Sequence, residues 1–345
     1  MKRGLLVAAG VAALVAAFAG GTAWLLGRPY AAFSGSIRVE IPRGSTSRAM
    51  ARQLADAGVV RHPWLFLAAR AIRRGRVLQA GEYRFSRPAT PLEVVDRLIR
   101  GDVIYYEISV PEGYNLFDIA AAVEAVSFLR REAFLENARD PTLIRDLAPQ
   151  AQTLEGYLFP DTYRLTRSNT EADLCRMMVS RFRKVWAELG SPPDVHRTVT
   201  LASLVEKETA IAEERPLVAS VFANRLAQGM KLDCDPTTIY AALLEGRWRG
   251  VIYRSDLDSP HPYNTYRHPG LPPGPIANPG LASLRAALAP AETGYLFFVA
   301  LPDGSGRHQF SRDLASHAAA ARRYRDAQAL SQGAGPAVAP GTRHP

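Results

Sequence analysis

The segment 202–209 contains Ala-Ser-Leu-Val-Glu-Lys-Glu-Thr, which places two carboxylates after a run of small and apolar residues. On a helix, Glu206 shares a face with Ala202 and Ser203. Apolar surroundings disfavour the charged form of a carboxyl group, so its pKa rises and it can hold a proton near neutral pH. A general acid needs this property, so Glu206 is a candidate, although this segment alone favours the more ordinary alternative. The alternative is a half-exposed residue that pairs with a neighbouring Lys or Arg.

The second carboxylate, Glu208, lies about 200° away from Glu206 around the same helix. The two groups therefore do not form an acid/base pair on one face, and we predict an ion pair for Glu208. Because the face of Glu206 carries small residues, we expect that face to lie beneath a cleft.

The N-terminal run 4–27 contains no charged residue and follows a basic pair. At about 1.5 Å per residue, it is long enough to cross about 30 Å of hydrocarbon. A cleavable signal peptide is the alternative, since residues 17–19 fit a small-x-small cleavage site, but its apolar core would be shorter. We expect residues 1–29 to form a cytoplasmic N-terminus and a transmembrane anchor, with the remaining chain outside the cytoplasmic membrane.

Charge and cysteine content restrict the partners. The chain has 42 Lys and Arg against 33 Asp and Glu, a net charge of +9. Outside the membrane, phospholipid headgroups and carboxylated wall polymers are the expected anions, and no nucleic acid is expected. Cys175 and Cys234 allow one disulfide but no metal site. The seven histidines show no metal-ligand spacing, so no metal and no cofactor are predicted.

A strand, a Pro-x-Gly turn and an amphipathic helix occur twice, beginning near Ile37 and again near Tyr106. This unit resembles the start of a LysM-type carbohydrate-binding module, although a purely structural repeat explains it equally well. We predict an α+β chain: a LysM-like α+β module at 36–105, a helix-rich catalytic domain with a small β-sheet at 106–328, and a disordered tail at 329–345.

Local signals place the main elements of these domains. The predicted helices and strands are a helix at 63–74, a strand at 81–85, a helix at 91–98 opened by Thr90, helical segments at 115–147, 171–189, 195–209 and 213–228, and a hairpin that pairs 295–300 with 308–310.

Six motifs occur in order between residues 154 and 280, and together they resemble those of the endolytic murein transglycosylases, a YceG-like family. They are 154–163 (Leu-Glu-Gly-Tyr-Leu-Phe-Pro-Asp-Thr-Tyr), 202–209, 221–226 (Val-Phe-Ala-Asn-Arg-Leu), 235–240 (Asp-Pro-Thr-Thr-Ile-Tyr), 263–266 (Tyr-Asn-Thr-Tyr) and 270–280 (Gly-Leu-Pro-Pro-Gly-Pro-Ile-Ala-Asn-Pro-Gly). With the N-terminal features, the resemblance extends over nearly the whole chain.

The resemblance implies a lytic transglycosylase that cuts the MurNAc–GlcNAc bond within nascent peptidoglycan strands, with Glu206 as its catalytic acid/base. It implies an association with penicillin-binding proteins, and a single-pass protein of the inner membrane with a periplasmic catalytic domain. Seven further residues are implied to line or brace the glycan cleft: Glu155, Tyr157, Asn224, Asp235, Tyr263, Asn264 and Thr265.

Residue chemistry weights these positions unequally. Amide, hydroxyl and aromatic groups suit N-acetylated sugars, so the loop 263–265 is as good a candidate for substrate contact as for structure. Tyr157 is more typical of a core. Asn224 and its neighbour Arg225 are expected to pair with carboxylates such as Glu155 or Asp235 and hold the cleft floor. The Pro-rich loop 269–279 is expected to form rigid turns in a cleft wall.

A single acid is sufficient for cleavage when the substrate supplies the nucleophile. The C6 hydroxyl of N-acetylmuramic acid can close a 1,6-anhydro ring while one Glu protonates the leaving oxygen and accepts the hydroxyl proton. A muramidase that uses water is the alternative and needs a second carboxylate, with Asp235 or Glu155 as candidates. A non-catalytic glycan-binding scaffold is the third interpretation, under which Glu206→Gln leaves function intact.

Overall fold

The computed structural model describes residues 2–333, and side chains within 10–329. The chain forms two compact units. The first contains the residues up to 107 together with 164–170, and the second contains 108–163 together with the residues from 171 onward.

The first unit combines helices with an antiparallel pair of strands. Its elements are α1 (Lys2–Leu26), β1 (Ile37–Ile41), α2 (Ser47–Asp56), α3 (Pro63–Ile72), β2 (Gly81–Phe85) and α4 (Pro91–Arg100). In the sheet, Val39 lies opposite Tyr83, and both side chains belong to the apolar core of this unit. Thr90 begins α4 as predicted, with a capping box to Glu93, which satisfies free backbone donors at the helix start.

The remaining elements follow from Tyr106. They are β3 (Tyr106–Ser109), α5 (Leu116–Glu124), α6 (Arg131–Ala138), β4 (Thr162–Leu165), α7 (Glu171–Glu188), α8 (Val195–Glu208), α9 (Arg215–Ala227), α10 (Asp235–Leu244), α11 (Arg254–Leu257), α12 (Leu281–Leu288), β5 (Phe297–Ala300), β6 (His308–Ser311) and α13 (Leu314–Gly333). The strands β3 and β4 pair with each other, and β5 and β6 form the predicted hairpin.

Helix α8 is the central element of the second unit and packs against α9, α10 and α12. Its residues from Val199 to Val205 are all buried. Leu204 and Val205 join Phe222 of α9 and Tyr240 of α10 in one apolar cluster. The C-terminal end of α8 is therefore held by packing, and Glu208 is the last residue of the helix.

The predicted mixed α+β class is confirmed, with many helices and three two-stranded sheets in the described part of the chain. The expected membrane-spanning helix is not found: among residues 2–333 no helix is both long and apolar enough to cross a membrane. Helix α13 runs to Gly333, and the rest of the predicted disordered tail lies outside the described residues.

Candidate active site

The last turn of α8 directs its two carboxylates to different surroundings. Glu206 accepts a hydrogen bond at Oε1 from Arg215 Nη2 (3.1 Å) and one at Oε2 from the backbone N–H of Gly280 (2.9 Å). Its side chain is 5% exposed. The ion pair that sequence offered only as the alternative for Glu206 is therefore present, and the apolar setting predicted for this carboxylate is wrong.

Arg215 also lies 3.7 Å from Glu112, which belongs to the Pro-Glu-Gly turn after β3. Burial raises the pKa of the Glu112 carboxyl, and the charge of Glu206 raises it further, while Arg215 opposes both effects. A side chain on Gly280 would collide with the Glu112 carboxylate. Glu206, Arg215 and Glu112 thus form a compact ionic cluster beside Gly280, and a side chain at that position would require the flexible Glu112 side chain to move.

The small-residue face of α8 was expected to lie beneath a cleft, but it lies beneath the Pro-rich loop. Ser203 Oγ accepts a hydrogen bond from Ile276 N (3.1 Å). Gly156 approaches the same region, where a Cβ atom would meet Pro275 and would lie 2.8 Å from Val199 Cγ1. Small side chains allow backbone segments to pack closely on this face, so its function is structural.

Glu208 is partly buried and accepts a hydrogen bond from Cys234 Sγ (3.0 Å). Burial raises the pKa of its carboxyl, and the charge of Asp235 raises it further. The C-terminal end of a helix also disfavours a negative charge. The ion pair predicted for Glu208 is wrong, since no described Lys or Arg forms one with it.

Glu208 lines a cavity of about 410 Å³ in the second unit. The cavity is lined by both polar and apolar side chains, namely Glu208, Val221, Phe222, Arg225, Leu232, Asp233, Asp235, Tyr266, Phe297, Phe298, Leu314 and His317. This volume lies within the range of small-molecule sites. A protonatable carboxyl thus lies beside other polar groups in a space large enough for part of a ligand.

Asp235 is the second carboxylate of interest in this cavity. It lies in the first turn of α10, where the helix dipole favours a negative charge. Its Oδ1 accepts a hydrogen bond from the Tyr266 hydroxyl (2.7 Å). Glu208 therefore lies at the C-terminal end of α8 and Asp235 at the N-terminal end of α10, and both carboxylates line the same cavity.

Glu155 lies away from this cavity and is 2% exposed. Its Oε2 accepts hydrogen bonds from Leu116 N and Tyr240 Oη (both 2.9 Å), and its Oε1 accepts one from Asn278 Nδ2 (2.9 Å). Burial raises the pKa of Glu155 to about 8. These contacts join three separate segments of the second unit, so Glu155 braces the fold.

The motif 263–265 is also mainly structural. The Asn264 side chain donates to the carbonyls of Asp256, Leu257 and Ser259 and is fully buried. Thr265 Oγ1 accepts from Cys234 N (3.0 Å). The adjacent Tyr266, which sequence did not single out, is the residue of this loop that reaches the cavity.

Three aromatic and amide positions also support the structure. Tyr157 is buried, as expected, and its hydroxyl lies 2.8 Å from His196 Nδ1. Tyr263 packs against Tyr240 with ring centroids 5.1 Å apart, and burial raises its pKa to about 12. Asn224 donates to the carbonyls of Thr293 and Tyr295.

Arg225 pairs with the carboxylate of Asp233 (3.1 Å), so the predicted pairing with a carboxylate is confirmed for Arg225, although Glu155 and Asp235, named as examples, are not its partners. The two cysteines are both buried and unpaired. Within residues 2–333, no group of three or more His, Cys, Asp and Glu side chains is arranged to hold a metal ion.

Glu208, Tyr266 and the pair Glu112–Arg215 were therefore not predicted to be functional residues. A signal for Glu208 was available, because Leu201, Leu204 and Glu208 share the i, i+3, i+7 spacing of one helix face. That face is more apolar than the face of Glu206.

A model of the YceG-like family matches residues 39–323. The chain belongs to this family. It is similar to a Bacillus subtilis strain 168 protein named endolytic murein transglycosylase, with 33% identity over 310 residues that cover 84% of this chain and 85% of that protein.

Two further similarities agree with this membership. A Streptococcus pneumoniae D39 protein of the same name is 30% identical over 76% of this chain, and the match spans about half of that relative (54%). The crystal structure of a YceG-like protein from Listeria monocytogenes has 32% identity and a TM-score of 0.53, covering 82% of this chain and 98% of that one.

Proposed function

We propose that this chain is a peptidoglycan lytic transglycosylase whose general acid/base is Glu208. The observation that carries the proposal is the position of Glu208, a carboxyl with a raised pKa, on the wall of the 410 Å³ cavity in a YceG-like chain. The relatives named endolytic murein transglycosylases supply the substrate and reaction class.

In this proposal, the protonated Glu208 donates its proton to the glycosidic oxygen between MurNAc and GlcNAc. The resulting carboxylate then accepts the proton of the C6 hydroxyl, which attacks the anomeric carbon and closes the 1,6-anhydro ring. No water is consumed, and Glu208 ends the cycle protonated. The negative charge of Asp235, held by Tyr266, would stabilise positive charge that develops on the sugar ring.

Glu206 was the acid expected from sequence, and its pairing with Arg215 and Gly280 supports a structural function instead. A matched pair of variants decides between them. Purified sacculi are treated with the full chain, and the released muropeptides are analysed by mass spectrometry. We expect 1,6-anhydro ends from the wild type, a loss of at least about 100-fold in Glu208→Gln, and retained activity per folded molecule in Glu206→Gln.

The reverse pattern would return the acid to Glu206. Fragments with reducing ends, formed by the wild type, would instead indicate the hydrolase, with Asp235 as the base because it shares the cavity with Glu208. Glu155 is not suited to that function, since it is buried and fully hydrogen-bonded within the fold. Binding without cleavage by either form would favour the scaffold.

We also propose that the N-terminus attaches the enzyme to the cytoplasmic membrane, with the catalytic unit on the outer side. The uncharged run 4–27 and the preceding basic pair support this, although no described helix meets the requirements of a span. Membrane fractionation of cells that express the full chain, or a chain lacking residues 2–29, tests it: the full chain should pellet with membranes and resist carbonate extraction.

Two proposals concern partners. The LysM-like interpretation of 36–105 assigns glycan binding to the first unit. A pull-down with sacculi would test it, using a Glu208→Gln chain with and without mutations in that unit. Association with penicillin-binding proteins is supported by the family resemblance alone, and in-cell crosslinking followed by mass spectrometry would detect it.

A further inference from the structure

The Cys234 side chain contacts the Glu208 carboxylate directly. Its Sγ lies 3.0 Å from Glu208 Oε1, and the thiol is buried at the position that precedes α10. The two cysteines of the sequence allow a disulfide between Cys175 and Cys234, but both thiols are free. The sulfur is thus available as a hydrogen-bond donor.

The backbone of Cys234 is fixed on both sides. Its N–H donates to Thr265 Oγ1 (3.0 Å), and its carbonyl accepts from Thr237 Oγ1 (2.6 Å). The two threonine hydroxyls also lie 2.9 Å from each other. All of these groups are buried. The motif residue Thr265 therefore acts on the cavity indirectly, because it determines where the sulfur is located.

We propose that Cys234 is a positioning residue for Glu208, whose thiol donor orients the carboxyl toward the cavity and weakly stabilises its charged form. This inference rests on the proposed function of Glu208 as the acid. A thiol is a weaker donor than a hydroxyl. The thiol can therefore hold the carboxyl in place, and the carboxyl is easier to protonate than it would be with a serine or threonine hydroxyl at position 234.

The thiol remains protonated and able to donate. Burial raises the pKa of Cys234 well above its ordinary value, and the nearby charge of Glu208 raises it further. A thiolate beside a carboxylate would place two like charges in one buried site, which is unfavourable.

Other titratable and charged groups line the same cavity or act electrostatically on Glu208, and their effects must be separated from that of Cys234. They are Asp233 and Asp235 before and within α10, Arg225 of α9, Tyr266, His308 of β6 and His317 of α13. His308 is itself paired with Glu214 (2.7 Å). Because these groups are unchanged in a Cys234 variant, differences between matched variants isolate the thiol.

The first experiment needs no turnover. The infrared S–H stretching band of Cys234 is recorded against pH in the full chain carrying Cys175→Ala, which removes the other thiol. We expect one shift to lower frequency as Glu208 ionises and becomes the stronger acceptor. Glu208→Gln in the same background should abolish that shift. A band that is insensitive to Glu208 at every pH would overturn the inference.

The second experiment uses the pH profile of kcat/KM on sacculi. Cys234→Ala removes the hydrogen-bond donor and so raises the pKa of Glu208. The acid then stays protonated to higher pH, and the alkaline limb of the profile shifts toward higher pH by about 0.5–1 pH unit. Cys234→Ser keeps a donor, so its limb should lie at or below that of the wild type. A limb that stays in place while the rate falls at all pH values would indicate a merely structural thiol and overturn the proposal.

The two experiments separate this inference from the proposed function. If sacculi are not cleaved but the S–H band follows Glu208, the contact stands and the catalytic assignment fails. If cleavage depends on Glu208 but neither the band nor the alkaline limb responds, the acid stands and Cys234 does not position it.

Discussion

The buried carboxyl of Glu155 makes a prediction about stability. Its folded-state pKa is about 8, against an ordinary value near 4.5, because burial disfavours the charged form. Between these two values the folded chain retains a proton that the unfolded chain has released. The free energy of unfolding must therefore fall as pH rises through this window, and the full contribution is present only below about pH 4.5.

The size of the effect follows from linkage. Each pH unit inside the window lowers the free energy of unfolding by about 1.4 kcal/mol. Raising the pH from about 5 to about 7.5 should therefore lower it by about 3 kcal/mol through Glu155 alone. Glu155→Gln abolishes this dependence. The amide cannot accept from all three present donors, so one of them loses its partner, at a cost of about 1–3 kcal/mol at every pH.

The assay is urea unfolding of the wild type and Glu155→Gln at several pH values between 5 and 7.5, monitored by circular dichroism. Other titrating groups contribute equally to both proteins, so the difference between the two free energies of unfolding isolates Glu155. We expect the variant to be less stable at pH 5 and to gain about 3 kcal/mol relative to the wild type by pH 7.5. A difference that is constant with pH would refute the reasoning and mean that the donors on Leu116, Tyr240 and Asn278 keep Glu155 charged.

Two other substitutions test the cavity and the packing of α8. Tyr266→Phe removes the hydroxyl that donates to Asp235. We expect kcat/KM on sacculi to fall about tenfold while the melting temperature is unchanged. Equal rates for the variant and the wild type would show that Tyr266 does not contribute to the site. Gly156→Ala introduces a Cβ against Pro275 and Val199 at a φ of +88°, so the free energy of unfolding should fall by about 2–4 kcal/mol, whereas an unchanged urea midpoint would contradict the close packing.

Local signals in the sequence were sufficient for much of the fold. Helix α4 begins after Thr90, which forms a capping box, and ends at Gly101, which adopts a left-handed conformation. The alternation in 81–85 predicted both ends of β2 correctly. Helices α10 and α12 were not predicted. The buried residues of α10 include the consecutive positions 237–238 and 240–242, so this helix lacks the one-sided periodicity that identifies an amphipathic helix.

The site was less predictable, because it depends on partners that are distant in sequence. Nothing near Glu206 indicates that its oxygens meet Gly280 and Arg215, and that contact changes the expected acid into an ion-paired carboxylate. The apolar stripe of Leu201 and Leu204 pointed toward burial of Glu208. However, periodicity alone does not show that a cavity opens beside the end of that stripe.

The Glu-Lys-Glu sequence at the end of α8 gains a physical explanation from these contacts. Glu206 is tied to Arg215 and Gly280, and Lys207 Nζ donates to the carbonyl of Gly113 (3.2 Å). Both contacts fix the last helical turn, so that Glu208 projects into the cavity from a rigid support, as a pre-organised acid requires.

This arrangement separates the two glutamates experimentally by stability as well as by rate. Glu206→Gln removes the charge that pairs with Arg215, whose side chain is only 11% exposed, and breaking such a pair costs about 3–5 kcal/mol. Any loss of activity in that variant should therefore accompany a lower melting temperature. Glu208→Gln removes no ion pair, so its loss of activity should occur in a chain that is as stable as the wild type. Melting temperatures of the two variants that fall equally would show that Glu208 is also a structural carboxylate.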